Sequence, residues 1–360
     1  MAIFSDTSCI PRLLVTAVGS LPHEDPYQAV EMITTHLGNA AHAPQLSRCD
    51  PREQMWIQFT ENLPGFQVDL ENLRYYFDTS TGSDARIEQF FSNYLDVLEG
   101  GSPEYFRVGR QYGRGIHALL DRLKENGKKL PFLKVQVTGP LSFALTVTDE
   151  NGKPIFYHPV YRDVAVKAMG LKAVWLLEEF KPYAQRIIVF FDEPSLSAYG
   201  SSAFLGVSKD DVIESLNDVI SMVVSRDGIP GVHCCGNTDW SLLMETSTSI
   251  INFDAVDYME TMAIYRNELI GFLARGGVLA WGAVPNTERI RGETVSDVIE
   301  RVRAGVDMLV HNGVERDALT GRVIVTPACG CAGLAVEDTQ RVYGILSELE
   351  SLGPDHILGK

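Results

Sequence analysis

Two stretches far apart in the chain carry the residues best suited to chemistry. Gly231–Trp240 reads GVHCCGNTDW, and Thr326–Cys331 reads TPACGC. Imidazole and thiol groups can act as nucleophiles, as redox pairs or as metal ligands. Six cysteines in 360 residues are too few for a disulfide-stapled scaffold. Cysteines clustered near a histidine in a reducing compartment read as metal ligands or catalytic groups. If GVHCC is the end of a strand, residues i and i+2 share a face. His233 and Cys235 then point one way and Cys234 the other. Adding Cys329 gives two thiolates and one imidazole, a donor set suited to tetrahedral Zn²⁺. Three protein ligands leave a fourth position for water, a substrate or a carboxylate. Asp254 is the nearest carboxylate at a strand end, with Glu260 next. Cys234 and Cys331 read as packing residues, and Cys9 and Cys49 carry no signal.

The elements that must position these groups follow from hydrophobic patterning. Eight short β-rich runs are expected: Leu13–Gly19, Ala40–Leu46, Phe132–Gly139, Arg186–Glu193, Ile229–Cys235, Ser249–Ala255, Gly277–Val284 and Arg322–Ala328. Between them lie stretches such as VYRDVAVKAMGLKAVWLLEEF and VSDVIERVRAGVDMLV, apolar at helical three- and four-residue spacing. DTQRVYGILSELESLG closes the chain, with Gly353 as its C-cap. Strand alternating with helix implies parallel pairing. Eight such units predict a (β/α)₈ TIM barrel in a single domain, residues 1–360. Cys49–Leu130 is too long for a loop and reads as a helical insertion (PREQMWIQFTENL, RIEQFFSNYLDVLEG) over the barrel mouth.

In such a barrel the carboxyl ends of the strands share one face, where active sites are built. The runs end in VGSLPH (Ser20, His23), TGP, FFDEP (Asp192, Glu193), His233-Cys234-Cys235, Asp254, WGAVPN and TPACGC (Cys329). Residues remote in sequence are thereby expected to meet around one mouth.

These motifs resemble a known group of enzymes. HCCGN with TPACG is similar to the H-x-C-G-N and P-x-C-G pair of zinc-dependent, corrinoid-linked thiol methyltransferases, of the uroporphyrinogen decarboxylase-like superfamily. VGSLPH, FFDEP and QMWIQFTENLPGF resemble the C-terminal catalytic barrel of cobalamin-independent methionine synthase. The resemblance implies zinc on His233, Cys235 and Cys329, with Asp254 where that family places a glutamate ligand. It implies Ser20 at the carboxylate of an amino-acid thiol, and Asp192 and Glu61 at its ammonium. Two departures stand out. No stretch of these 360 residues is long enough for the second barrel that serves a folate donor, and GAVPNTERI has Asn286 and Thr287 where the family has a histidine. A methyl group leaving a corrinoid needs no proton, so the implied donor is methylcobalamin or a methylated corrinoid protein. The implied acceptor is a small thiol, homocysteine first, with coenzyme M or another thiol as the alternative. Two rivals are a metal-free tetrapyrrole decarboxylase on the same fold and a non-catalytic corrinoid- or metal-binding accessory protein. The decarboxylase would want arginines at the mouth, where these runs end in acids and thiols.

Composition narrows the partners. The net charge of -16 opposes binding nucleic acid or an anionic membrane through a general positive field. No run reaches the length of a membrane span. MAIFSDTSCIPRLL lacks the pattern of a signal peptide, and a cytoplasmic location is expected.

Overall fold

The computed structural model describes residues 5–80 and 84–359. The leader reading and the limits of the single-domain span fall partly on residues 1–4 and 360, which lie outside them. Eight parallel strands form one sheet: β1 (Leu13–Val15), β2 (Ala40–His42), β3 (Leu130–Thr138), β4 (Ala184–Asp192), β5 (Ile229–Cys234), β6 (Ile250–Asp254), β7 (Val278–Val284) and β8 (Val323–Pro327). Ladders run without interruption from β1 through β8, β7, β6, β5, β4 and β3 to β2. The two terminal strands then meet. Gln45 N–H donates to the Gly19 carbonyl at 3.1 Å, and Leu21 N–H to the Gln45 carbonyl at 3.0 Å. The Thr16 hydroxyl donates to the Ala40 carbonyl at 2.8 Å. The molecule is therefore a (β/α)₈ barrel, with the eight expected strands in the expected order.

Strand alternation divides the core. One face of every strand supplies the apolar filling of the barrel: Leu14, Ala40, Phe132, Ile188, Ile229, Ile250, Val278 and Ile324. The opposite face packs outward under the helices, through Val15, Ala41, Val135, Val189, Val232, Phe253, Trp281 and Val325. The helices follow the patterning. Val295–His311 begins with a reciprocal cap between Thr294 and Asp297. Val336–Leu352 ends at Gly353, whose φ is 76°, a conformation that glycine adopts without a Cβ penalty. Among the described residues, no helix is long and apolar enough to cross a membrane.

The segment between β2 and β3 departs from its reading in the first half. PREQMWIQFTENL forms a short 3₁₀ turn, Pro51–Glu53, followed by further turns. Its apolar residues are spaced as in a helix, but Asp50 and Glu53 bind backbone N–H groups outside any helix instead. Asp50 accepts from Arg52 N–H at 2.9 Å, and Glu53 from Leu46 N–H at 3.1 Å and Arg114 N–H at 2.7 Å. An antiparallel hairpin follows, Phe66–Asp69 with Arg74–Phe77. Two helices complete the segment, Asp84–Leu98 and Arg114–Asn126, and Leu130 already belongs to β3. The segment is anchored to the barrel by buried groups. Lys172, on the helix Pro159–Phe180, donates to the carbonyls of Glu61 at 2.8 Å and Arg107 at 2.7 Å. The Thr138 hydroxyl donates to the Met55 carbonyl at 2.5 Å.

Candidate metal centre

At the upper end of the barrel the inward positions change character. Two residues beyond the apolar filling stand Thr16, His42, Lys134, Asn252 and Thr326, and on β5, beyond Gly231, stands His233; all six are buried. Asp192 follows Phe190 on β4. The strands β5 and β8 bring the expected donors together. His233 Nε2, Cys235 Sγ and Cys329 Sγ all lie within 4.8 Å of one another, with Cys329 Sγ 3.5 Å from His233 Nε2. All six cysteines are free.

The surroundings fix the histidine tautomer. Asn252 Nδ2 donates to the Ala280 carbonyl at 2.9 Å and faces the Thr326 hydroxyl oxygen at 2.9 Å. A carbonyl can only accept, so the amide nitrogen must sit on that side. Asn252 Oδ1 therefore faces His233 Nδ1, at 2.6 Å, and takes its N–H. Nε2 is the ring nitrogen left facing the two sulfurs, the orientation found around metal-bound histidines.

Charge is unevenly shared between the sulfurs. Hydrogen bonds with Cys329 and His233 hold Cys235 well below the usual thiol range. Cys329 is pushed up by sharing that hydrogen bond and by burial. Burial pulls His233 down, but its hydrogen bond with Cys235, together with the Asp192 and Cys235 charges, more than offsets it. The neighbouring cysteines differ. Cys234 and Cys331 are 0% and 2% exposed, and burial pushes each thiol up to about 12. They pack in the outer core, as the alternation argument requires for Cys234.

The other expected residues are placed as follows. Asp254 ends β6, its Oδ1 accepting from Val256 N–H at 2.8 Å and Asp257 N–H at 3.0 Å. Glu260 is exposed on the short helix Met259–Met262. Neither joins the three-donor group. Asp192 Oδ1 is buried without a hydrogen-bond partner, and burial raises its carboxyl. Glu193, its neighbour in FFDEP, has a structural task. It accepts from Leu141 N–H at 3.0 Å and Ser142 N–H at 2.7 Å, and burial still pushes it up to about 7. A Cβ on Gly139 would lie 2.2 Å from its carboxyl carbon, which explains the glycine of TGP. Ser20 abuts the turn after Cys329, and its carbonyl accepts from Cys331 N–H at 2.8 Å. Glu61 is held in the segment between β2 and β3, with Oε2 accepting from Gly109 N–H at 2.5 Å. His23 lines a separate hollow with Gln28, Glu31 and His36.

Lys134 stands beside the site without having been among the expected residues. It is fully buried and donates to the Val18 carbonyl and to Gln136 Oε1. Its ammonium stands 4.8 Å from the centre of the Phe190 ring. Burial lowers it to about 8, while Asp192 and Cys329 favour its charge. FLKVQVTG showed the signal, with Lys134, Gln136 and Thr138 at alternate positions of an otherwise apolar strand.

A barrel with a histidine and two cysteines convergent at its carboxyl-end mouth is what fold and site together define. No protein-family model matches the chain, and no curated protein matches it. Among solved structures it is similar to a methyltransferase from Methanosarcina mazei, at 12% identity and a TM-score of 0.53, over 95% of each chain. It also aligns with a pneumococcal exo-β-D-N-acetylglucosaminidase at 9% identity and a TM-score of 0.43, over 94% of this chain and 84% of that one. The first likeness supports the barrel fold along the whole chain, and the second carries no further weight.

Proposed function

We propose that the chain is a zinc-dependent methyltransferase that moves a methyl group from a methyl-corrinoid to a small thiol, with homocysteine as acceptor and methionine as product. The observation that carries this reading is the convergence of His233 Nε2, Cys235 Sγ and Cys329 Sγ within 4.8 Å. The similar fold of a solved methyltransferase agrees with it.

The donor set fits zinc. Two soft sulfurs and a neutral imidazole are the ligands Zn²⁺ favours, and Asn252 leaves the correct nitrogen free. Asp254 is the candidate for the fourth position. A free aliphatic thiol, with a pKa of about 8.5, is mostly protonated at neutral pH; zinc held by these residues would present the acceptor as a thiolate.

The protein's own groups do the rest. Asp192 Oδ1, buried and without a partner, offers an acceptor for the ammonium of an amino-acid thiol. Ser20, against the Cys329 turn, and Glu61 are the further contacts with that end of the acceptor. Their task is to hold sulfur and methyl carbon at near-attack distance, about 3–3.5 Å. The reaction forms a sulfur–carbon bond and breaks a carbon–cobalt bond, whose electron pair stays with cobalt. No proton is needed by that leaving group, which suits Asn286 and Thr287 where a proton donor would otherwise stand.

The test is zinc content measured in the same preparation that is assayed with methylcobalamin and a panel of thiols. The expected result is about one zinc per chain and methyl transfer to homocysteine above coenzyme M. Metal without turnover would favour an accessory protein. Tetrapyrrole decarboxylation by metal-free protein would overturn the reading.

A further inference from the structure

Cys329 does not stand on a strand. β8 ends at Pro327, and the sulfur is carried by the turn that follows. Such a turn needs its own fixings, and two neighbouring loops supply them around Gly330. On one side, Ser20 accepts from Cys331 N–H at 2.8 Å. Its hydroxyl fills the space beside Gly330, where an added Cβ would lie 1.9 Å from Ser20 Oγ. On the other side, Asn286 Nδ2 donates to the Gly330 carbonyl at 2.9 Å. Further down, Ala328 N–H donates to the Val284 carbonyl at 2.9 Å, so the loops after β7 and β8 are already joined at their bases. Glycine leaves the peptide after Cys329 with more rotational freedom than any other residue would. The Asn286 amide is the side-chain bond that restrains it.

We propose that Asn286 is a positioning residue for the metal ligand Cys329: by holding the Gly330 carbonyl it keeps the sulfur facing His233 Nε2. This inference rests on the reading of His233, Cys235 and Cys329 as a zinc site. Asn286 is not one of the three donors; its amide is engaged with the Gly330 carbonyl. Groups that orient a ligand from outside the coordination shell are typically worth about 10–100-fold in metal affinity. Asn286 thus takes a part quite different from the proton donor that a histidine in this loop would be.

The experiment compares wild type with Asn286→Ala, the near-isosteric Asn286→Asp and the donor-retaining Asn286→Gln. Zinc affinity is measured by competition with a chromogenic chelator, and the sulfur-to-metal charge-transfer bands are measured after loading with Co²⁺. Circular dichroism establishes that each variant is folded. Asn286→Ala and Asn286→Asp are expected to lose about 10–100-fold in affinity and to show altered bands, with Asn286→Gln regaining part of both. Wild-type affinity and unchanged bands in the alanine and aspartate variants would overturn the inference and leave the zinc reading standing. Wild-type protein that binds neither metal would overturn both.

Discussion

The lower and upper layers of the barrel interior are built on the same strands and do different work. On β6, Ile250 and Asn252 are successive inward residues. Ile250 joins an apolar cluster drawn from all eight strands, whereas Asn252 is tied to His233, Ala280 and Thr326. On β4, Phe190 lies in the lower cluster, and Asp192, next inward, carries a buried oxygen with no partner. Stability is concentrated where side chains fill space, and chemistry where polar groups converge. Two residues along a strand are enough to pass from one regime to the other.

The largest test of this division is Cys329→Ala. It should abolish stoichiometric zinc binding and lower methyl transfer by more than about 100-fold, beyond the range of an outer-shell change, with little loss of folded protein; metal analysis and the methylcobalamin assay check this. Ile250→Ala should do the reverse. Deleting that buried side chain should lower unfolding free energy by about 2–5 kcal/mol in urea titrations, with zinc per folded molecule unchanged.

Lys134 tests whether the upper layer lowers stability. Burial depresses its pKa in the folded protein to about 8, against about 10.4 in an unfolded chain. Between those values the unfolded state binds more protons, so stability must rise with pH across that window and fall as pH drops through about 8. The full swing is about 3 kcal/mol. Urea unfolding at pH 8 and pH 10 should show the rise in wild type, and Lys134→Met should flatten it. An equal rise in the variant would assign the effect to other groups.

Asn252→Ala should weaken zinc binding by about 10–100-fold through loss of tautomer control, measured by chelator competition. The smallest effect is expected from Cys234→Ala. It should lower stability by about 1 kcal/mol and leave metal content untouched, although Cys234 is adjacent to a proposed ligand.

Much of this organisation was legible before any coordinates. The eight strands announced themselves as β-rich apolar runs because barrel strands are buried on both faces. The two-residue period separates Cys235 from Cys234, and the barrel topology explains how Cys329 joins Cys235 and His233. The first half of the segment between β2 and β3 was misread for a physical reason. MWIQF has helix-like apolar spacing, but Asp50 and Glu53 capture backbone N–H groups, one of them from the distant Arg114, and the chain turns instead. The hairpin Phe66–Phe77 is hidden because its four-residue strands are mostly half-buried or exposed, with no continuous apolar run to mark them. Lys134 and Gln136 were visible in FLKVQVTG but submerged in a run that is apolar on average. Asn252 was equally visible in SIINFDA. Its role needed the third dimension, since His233, Ala280 and Thr326 come from three other strands. In the sequence Asn286 stands out only for not being histidine; its bond to Gly330 belongs to the meeting of two loops.

His233 and Cys329 are separated by 96 residues of chain yet face each other across the mouth. An ion gripping both would act as a removable cross-link between β5 and β8. Binding only the folded barrel, it would add about 4 kcal/mol of stability at a free concentration a thousand times its dissociation constant. A strong chelator would then behave as a mild denaturant, and the melting temperature of this protein would report the metal content of its surroundings.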